Sequence, residues 1–131
     1  MKDKSTITKA FNKHLSDFLT DLQNIFPDSK EITFAKNSLE TIKKFNTTAI
    51  IKVWYTSVSI PYGDELSNGN IDFFINKDYS QDLADVNKND EIIKMIENIR
   101  GPISNTTEVN KQHSLKYLQN LNKLCIAYQN M

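Results

Sequence analysis

The stretch Thr47–Tyr62, TTAIIKVWYTSVSIPY, decides the fold because it carries the only tryptophan and the densest apolar content of the chain. Its apolar residues recur at helical spacing and surround nearly the whole helix, which is typical of a buried helix. These residues are Ile50, Val53, Trp54 and Val58. We predict a central helix that ends at Pro61 and Gly63.

A strand is the alternative for the same stretch, because Thr, Ile, Val, Trp and Tyr are also strand formers. Trp54–Ile60 would then pair with Ile71–Ile75 through the turn dipeptide Asn68-Gly69. This alternative gives an α+β fold with a hairpin at 54–75. The run is longer than a typical strand, so we favour the helix.

Four further helices follow from apolar periodicity and capping signals. The first runs from Thr6 to Phe26 and is stopped by Pro27. The second starts at the capping box Asp28-Ser29-Lys30-Glu31 and ends its apolar stripe at Phe45. A third begins at Asn89 and finishes at Arg100, Gly101 and Pro102, and the last covers Val109–Tyr128. Residues 70–76 form a short helix capped by Asn70 or the return strand of the hairpin.

We predict an all-α, compact single-domain bundle of five or six helices over residues 1–131.

The charge of the chain balances but is unevenly spread. Sixteen basic residues face sixteen acidic ones, so no global field attracts a polyanion. Residues 1–52 nevertheless carry nine lysines against six acids, and residues 53–100 carry four basic against nine acidic groups. A weak basic patch for salt-sensitive nucleic-acid contact is predicted in the first half. Its candidates are Lys36, Lys43, Lys44 and Lys52.

Six aromatic residues lie within 26 positions and are the candidates for binding a protein partner. Most of them must pack in the core, but a Tyr or Trp left at a surface groove is a common anchor for a partner. The candidates are Trp54, Tyr55, Tyr62, Phe73, Phe74 and Tyr79.

The sequence contains no catalytic or cofactor-binding signature. His14, Asp17 and Asp21 have the spacing of half a metal site, but His113 and Cys125 are the only further soft ligands, so we expect no metal. His113 lies about 18 Å from Cys125 along one predicted helix, which leaves only His14 as a base for a thiol nucleophile. A buried structural thiol is the favoured interpretation. With three glycines, a phosphate-binding loop is excluded, and we expect neither a cofactor nor enzymatic activity.

The N-terminal segment lacks the apolar core of a signal peptide, and no apolar run approaches the ~20 residues of a membrane span. We therefore expect an intracellular protein that is not secreted and has no membrane partner.

The order of several segments resembles a family of small uncharacterised proteins of nucleocytoplasmic large DNA viruses, the giant-virus relatives of mimiviruses and algal viruses. These segments are AFNKHLSDFLTDLQNIFPDSKEI (10–32), AIIKVWYTSVSIPY (49–62), GNIDFFINKDYSQDL (69–83), IRGPI (99–103) and EVNKQHSLKYLQNLNKL (108–124). The resemblance implies a viral protein located in the host cytoplasm, at the viral factory, or in the virion.

Two functions are consistent with these observations. The first is a non-enzymatic structural or interaction protein of the virion or replication factory, which acts through protein–protein contacts or self-association. The alternative is an accessory nucleic-acid-binding protein that uses the Lys-rich N-terminal half.

Overall fold

The computed structural model describes residues 3–76 and 90–131, and these residues form helices and no strands. The elements are α1 (Lys4–Ile25), α2 (Lys30–Phe45), α3 (Ala49–Trp54), a π-helical segment (Tyr55–Ser59), α4 (Ile60–Ser67), α5 (Ile71–Asn76), α6 (Asp90–Ser104) and α7 (Glu108–Gln129). The predicted all-α bundle is confirmed. The alternative hairpin at 54–75 is wrong, because both of its proposed strands are helical.

The helix starts lie close to the predicted positions, and a side chain caps each of α1, α2 and α7. Asp3 caps α1, since its Oδ1 accepts a hydrogen bond from the Thr6 amide at 2.8 Å. Ser29, rather than Asp28, caps α2 through its side chain. Thr107 caps α7. The predicted cap at Asn89 lies outside the described residues.

The central helix is longer than predicted, because α3, the π-helical segment and α4 follow one another without a break. We call this continuous element, residues 49–67, the central rod. The prediction that Pro61 and Gly63 end it is wrong. The Ile60 amide donates to the Tyr55 carbonyl five residues earlier, so the wider π turn directly precedes Pro61. Pro61, the second residue of α4, therefore lies where the regular i→i−4 hydrogen-bond pattern is already interrupted.

Gly63 lies where the central rod approaches α7. A Cβ atom at this position would lie 3.3 Å from the side-chain amide of Asn122, so the glycine permits this close contact. The chain turns only after Ser67, at Gly69, whose φ of 86° is in the left-handed region. The predicted Asn68-Gly69 turn is therefore confirmed, and Asn70 caps the short helix α5.

Trp54 lies at the centre of the core and is fully buried. Its ring meets Phe11 of α1 edge to face, with centroids 5.8 Å apart. The helix α3, which contains Trp54, contacts α1, α2, α6 and α7. Around it, α1 packs mainly on α7, and α2 packs mainly on α6. The central rod is thus covered by helices from both halves of the chain.

Arg100 is the only arginine of the chain, and it joins α6 to the end of α5. Its Nε donates to the Phe74 carbonyl at 3.0 Å, and its Nη2 donates to the Ile75 carbonyl at 3.3 Å. Its Nη1 pairs with Glu97 one turn earlier. Because a guanidinium presents several donors in one plane, it can satisfy carbonyls at a helix C-terminus and a carboxylate together.

The prediction that α6 finishes at Arg100, Gly101 and Pro102 is also wrong, because the helix continues to Ser104. Pro102 is buried within the last turn, where its nitrogen has no proton to donate to the carbonyl four residues earlier. The hydroxyl of Ser104 donates to the Gly101 carbonyl at 2.7 Å, which satisfies a carbonyl near the helix end. Within the described residues, no helix combines the length and the apolar character needed to cross a bilayer.

We predict that Arg100→Lys lowers the free energy of unfolding by about 1–3 kcal/mol, because an ammonium group cannot reproduce the planar set of donors at this buried position. Urea unfolding followed by Trp54 fluorescence measures the change. Lys94→Arg, at an exposed position on the same helix, is the control and should leave the midpoint unchanged. An Arg100→Lys protein as stable as the wild type would contradict the structural role of the guanidinium.

Candidate functional site

A cleft of about 830 Å³ runs along α1 from Lys4 to Asp17. The C-terminal end of α2 and the residues Thr47 and Thr48, which precede α3, form its other side. Tyr128 of α7 contributes to the lining beside Lys4, whose Nζ lies 4.9 Å from the centroid of the tyrosine ring. The cleft is therefore built where the chain passes from α2 into the central rod.

Lysines dominate the charge of this cleft, which we call the lysine cleft. It contains five lysines and two acids, Asp17 and Glu40, for a net formal charge of +3. Both acids are paired, because Lys13 lies 3.1 Å from Asp17 and Lys43 lies 3.1 Å from Glu40. Among the described residues, the remaining three lysines form no ion pair. These three are Lys4, Lys9 and Lys44.

Polar side chains hold the two sides of the lysine cleft together. The Nδ2 of Asn12, which is buried, donates to the Thr47 carbonyl at 2.9 Å. The hydroxyl of Ser16 lies 3.4 Å from Oε1 of Glu40 and donates to it. These bonds connect α1 to α2 and to the α2–α3 connection. The position of the lysines on one side is consequently fixed relative to those on the other.

The structure separates the four lysines predicted to contact nucleic acid. Lys43 and Lys44 line the lysine cleft, whereas Lys36 and Lys52 do not. Lys36 donates to Oε1 of Gln23 at 3.1 Å, and Lys52 is exposed on α3.

Sequence reasoning missed the lysines that α1 contributes to the cleft. Lys9 and Lys13 are four residues apart and therefore share a face of α1, which was the available signal. Lys4, one turn before Lys9, completes the set.

Three of the six aromatic candidates for partner binding belong to the core. Trp54 and Phe74 are fully buried and Tyr62 is 1% exposed. The Tyr62 ring packs edge to face against Phe74 with centroids 5.6 Å apart. These three side chains are not accessible to a partner protein. The prediction that the aromatic residues bind a partner is therefore corrected for them.

The other three aromatic candidates have different positions. Phe73 is 43% exposed, with its centroid 5.5 Å from that of Tyr62, and Tyr55 is half-buried on the π-helical segment. Tyr79 lies outside the described residues. Within the described part of the chain, Phe73 and Tyr55 are therefore the remaining aromatic candidates for binding a partner.

A second polar site lies between α1 and α7, around Tyr117. The Tyr117 hydroxyl donates to Asp21 at 2.6 Å, and Nε2 of His113 lies 3.2 Å from the same carboxylate. The ring of His14 lies 4.8 Å from that of Tyr117, and Phe18 stacks on Tyr117 at 4.9 Å. The two histidines of the chain thus meet at one tyrosine, beside a pocket of about 300 Å³.

The hydrogen bond between Tyr117 and Asp21 changes the acidity of both groups. It raises the pKa of Tyr117 to about 12, because the phenolate would face a carboxylate, and it lowers the pKa of Asp21. Burial lowers the pKa of His14, since the charged ring loses hydration. Tyr117 is therefore a hydrogen-bond donor at neutral pH and not a base.

The two acidic side chains of the predicted half metal site are engaged in other interactions. Asp17 pairs with Lys13, and Asp21 binds Tyr117 and His113. No three His, Cys, Asp or Glu side chains of residues 3–76 and 90–131 are grouped to hold a metal ion.

Cys125 is buried, as predicted, and its Sγ donates to the Ile51 carbonyl at 3.6 Å. Burial raises the pKa of this thiol to about 12. Since the thiolate is the nucleophilic form, Cys125 is unreactive at neutral pH.

No protein family, curated protein or solved structure matches the chain. Function must therefore be inferred from the lysine cleft and its surroundings.

The half-buried His14 makes stability depend on pH in a defined direction. Its pKa in the folded state lies below the unfolded value of about 6.5, so the unfolded chain binds more protons below that pH. We predict that this group lowers the free energy of unfolding as the pH falls from 7.5 to 5.5. His14→Gln should reduce this decline in urea unfolding, whereas Lys123→Gln, at an exposed position on α7, should retain it. An unchanged pH profile in His14→Gln would contradict the prediction.

Proposed function

We propose that the chain is a non-enzymatic accessory protein that binds nucleic acid in the lysine cleft. The supporting observation is the concentration of five lysines in one cleft whose two acids are already paired. A phosphate backbone matches such a surface, because lysines displace the counterions condensed on it. The overall neutrality of the chain does not oppose this binding, since a bound ligand interacts mainly with the local positive charge of the cleft.

The lysines favour contact with phosphates over recognition of bases. The planar guanidinium of Arg and the side-chain amides of Asn and Gln suit bidentate contacts to base edges, whereas the ammonium group of Lys acts as a point charge. The only arginine, Arg100, is buried and bonded to α5, and Nδ2 of Asn12 is bonded to Thr47. The binding that we propose is accordingly independent of base sequence and strongly dependent on salt.

A non-enzymatic role is supported by the state of the groups that could act as nucleophile or base. Cys125 is buried and protonated, and Tyr117 donates its proton to Asp21 in a hydrogen bond. The resemblance of the sequence to giant-virus proteins supports a place in the viral factory of the host cytoplasm or in the virion. Immunolocalisation of the chain during infection tests this setting, and staining confined to other compartments would contradict it.

A protein–protein contact is the second candidate function, and the exposed ring of Phe73 favours it. Phe73 is 43% exposed and packs beside Tyr62, which is held in the core. A rigidly supported aromatic ring is a suitable anchor for a partner protein or a second copy. The test compares the proteins that copurify from infected cells with the wild-type chain and with the Phe73→Ser variant. If both capture the same set of viral partners, this role of Phe73 is refuted.

For nucleic-acid binding, we predict that Lys9→Glu with Lys44→Glu weakens affinity for a labelled oligonucleotide by about tenfold or more at ~50 mM salt. The dependence of affinity on salt should also become shallower, because fewer counterions are released. Fluorescence anisotropy over a salt series measures both effects.

The matched control is Lys94→Glu with Lys123→Glu, which removes the same charge at exposed positions outside the lysine cleft. This control should bind nearly as tightly as the wild type. Absence of binding by the wild type to both single-stranded and duplex oligonucleotides at ~50 mM salt would refute the proposed function.

A further inference from the structure

We infer that the lysine cleft takes a single strand of nucleic acid and that Phe45 stacks on one of its bases. The inference rests on the proposed function and specifies its ligand. It depends on three features of the described residues: the concave shape of the cleft, the origin of its cations from two elements, and an exposed phenylalanine that lies in sequence between two residues lining it.

The cleft has the length and shape for a strand of a few nucleotides. It follows α1 over thirteen residue steps, from Lys4 to Asp17, which corresponds to about 20 Å. The hydrogen bonds from Asn12 to Thr47 and from Ser16 to Glu40 keep its two sides close together. Proteins that bind single strands commonly use a positively charged groove of this kind to follow the backbone.

A duplex fits this arrangement poorly. Duplex readers insert a protruding helix or ribbon into a major groove about 12 Å wide. Here the cations lie in a concave cleft, with Lys9 and Lys13 on α1 and Lys43 and Lys44 at the end of α2. A single strand can enter between these two groups and place phosphates near both.

Phe45 supplies the surface for stacking. It follows Lys44 and precedes Thr47, and both of these residues line the cleft. Its side chain is 85% exposed although it ends the apolar stripe of α2. Every base has an apolar face, so an exposed aromatic ring beside a cationic cleft stabilises a single strand without selecting a sequence. Bases in a duplex are already stacked on each other and cannot use this ring.

Helix α2 also provides a matched control. Phe34 is 42% exposed on the same helix but does not line the lysine cleft. Replacing Phe34 or Phe45 by Ala removes the same atoms from an exposed position, so neither change should unfold the chain. The Trp54 fluorescence spectrum, which reports the intact core, verifies that each variant is folded.

The experiment measures binding of the full chain to a labelled 12-nucleotide single strand and to its duplex by fluorescence anisotropy. We expect the single strand to bind at least about tenfold more tightly than the duplex. Phe45→Ala should weaken single-strand binding by about fivefold or more and leave the salt dependence unchanged, since stacking releases no counterions. Phe34→Ala should match the wild type. Competition with a 12-residue glutamate peptide should be much weaker than competition with the unlabelled strand.

Three results would overturn the inference: equal affinity for the single strand and the duplex, wild-type binding by Phe45→Ala, or equal competition by the glutamate peptide. In the first two cases, a loss of binding in the Lys9→Glu, Lys44→Glu protein would leave the proposed function intact. Failure of the wild type to bind either nucleic acid would instead remove the proposed function itself.

Discussion

The structure depends on burying a helix that is apolar on nearly every side. Ile50, Ile51, Val53 and Trp54 of α3 are all buried and only the side of Lys52 is exposed to water, so α1, α2, α6 and α7 all contact this helix. The same requirement produces the lysine cleft. Where the chain leaves the surface helix α2 and enters the core, Thr47 and Thr48 form one side of a recess against α1.

Much of the architecture could be predicted from local pattern. The apolar spacing of α1, the proline after it and the caps near α2 and α7 depend on residues close in sequence, and the structure agrees with them to within a few positions. The continuation of the central rod through Pro61 and Gly63 could not be predicted in this way. It depends on a π turn and on the approach of Asn122 from a distant helix, and neither leaves a periodic signal in the sequence.

The candidate site was predicted less well, because sequence indicates which residues are charged or apolar but not which of them meet. Lys43 and Lys44 were recognised as cations, yet their neighbours Lys9 and Lys13 come from a helix that is adjacent only in the fold. The spacing of Phe45 places it at the end of the apolar stripe of α2, but the core does not extend to that end of the helix.

Asp17 borders both the lysine cleft and the small pocket that contains His14, so binding in the cleft would be felt at His14 through this residue. An anion in the cleft competes with Asp17 for Lys13 and adds negative charge near His14, and both effects raise the pKa of that ring. Thermodynamic linkage requires the reverse effect of equal size, so protonation of His14 tightens anion binding. The imidazole resonances of His14 in an NMR titration would therefore report whether the neighbouring cleft is filled, without any label on the ligand.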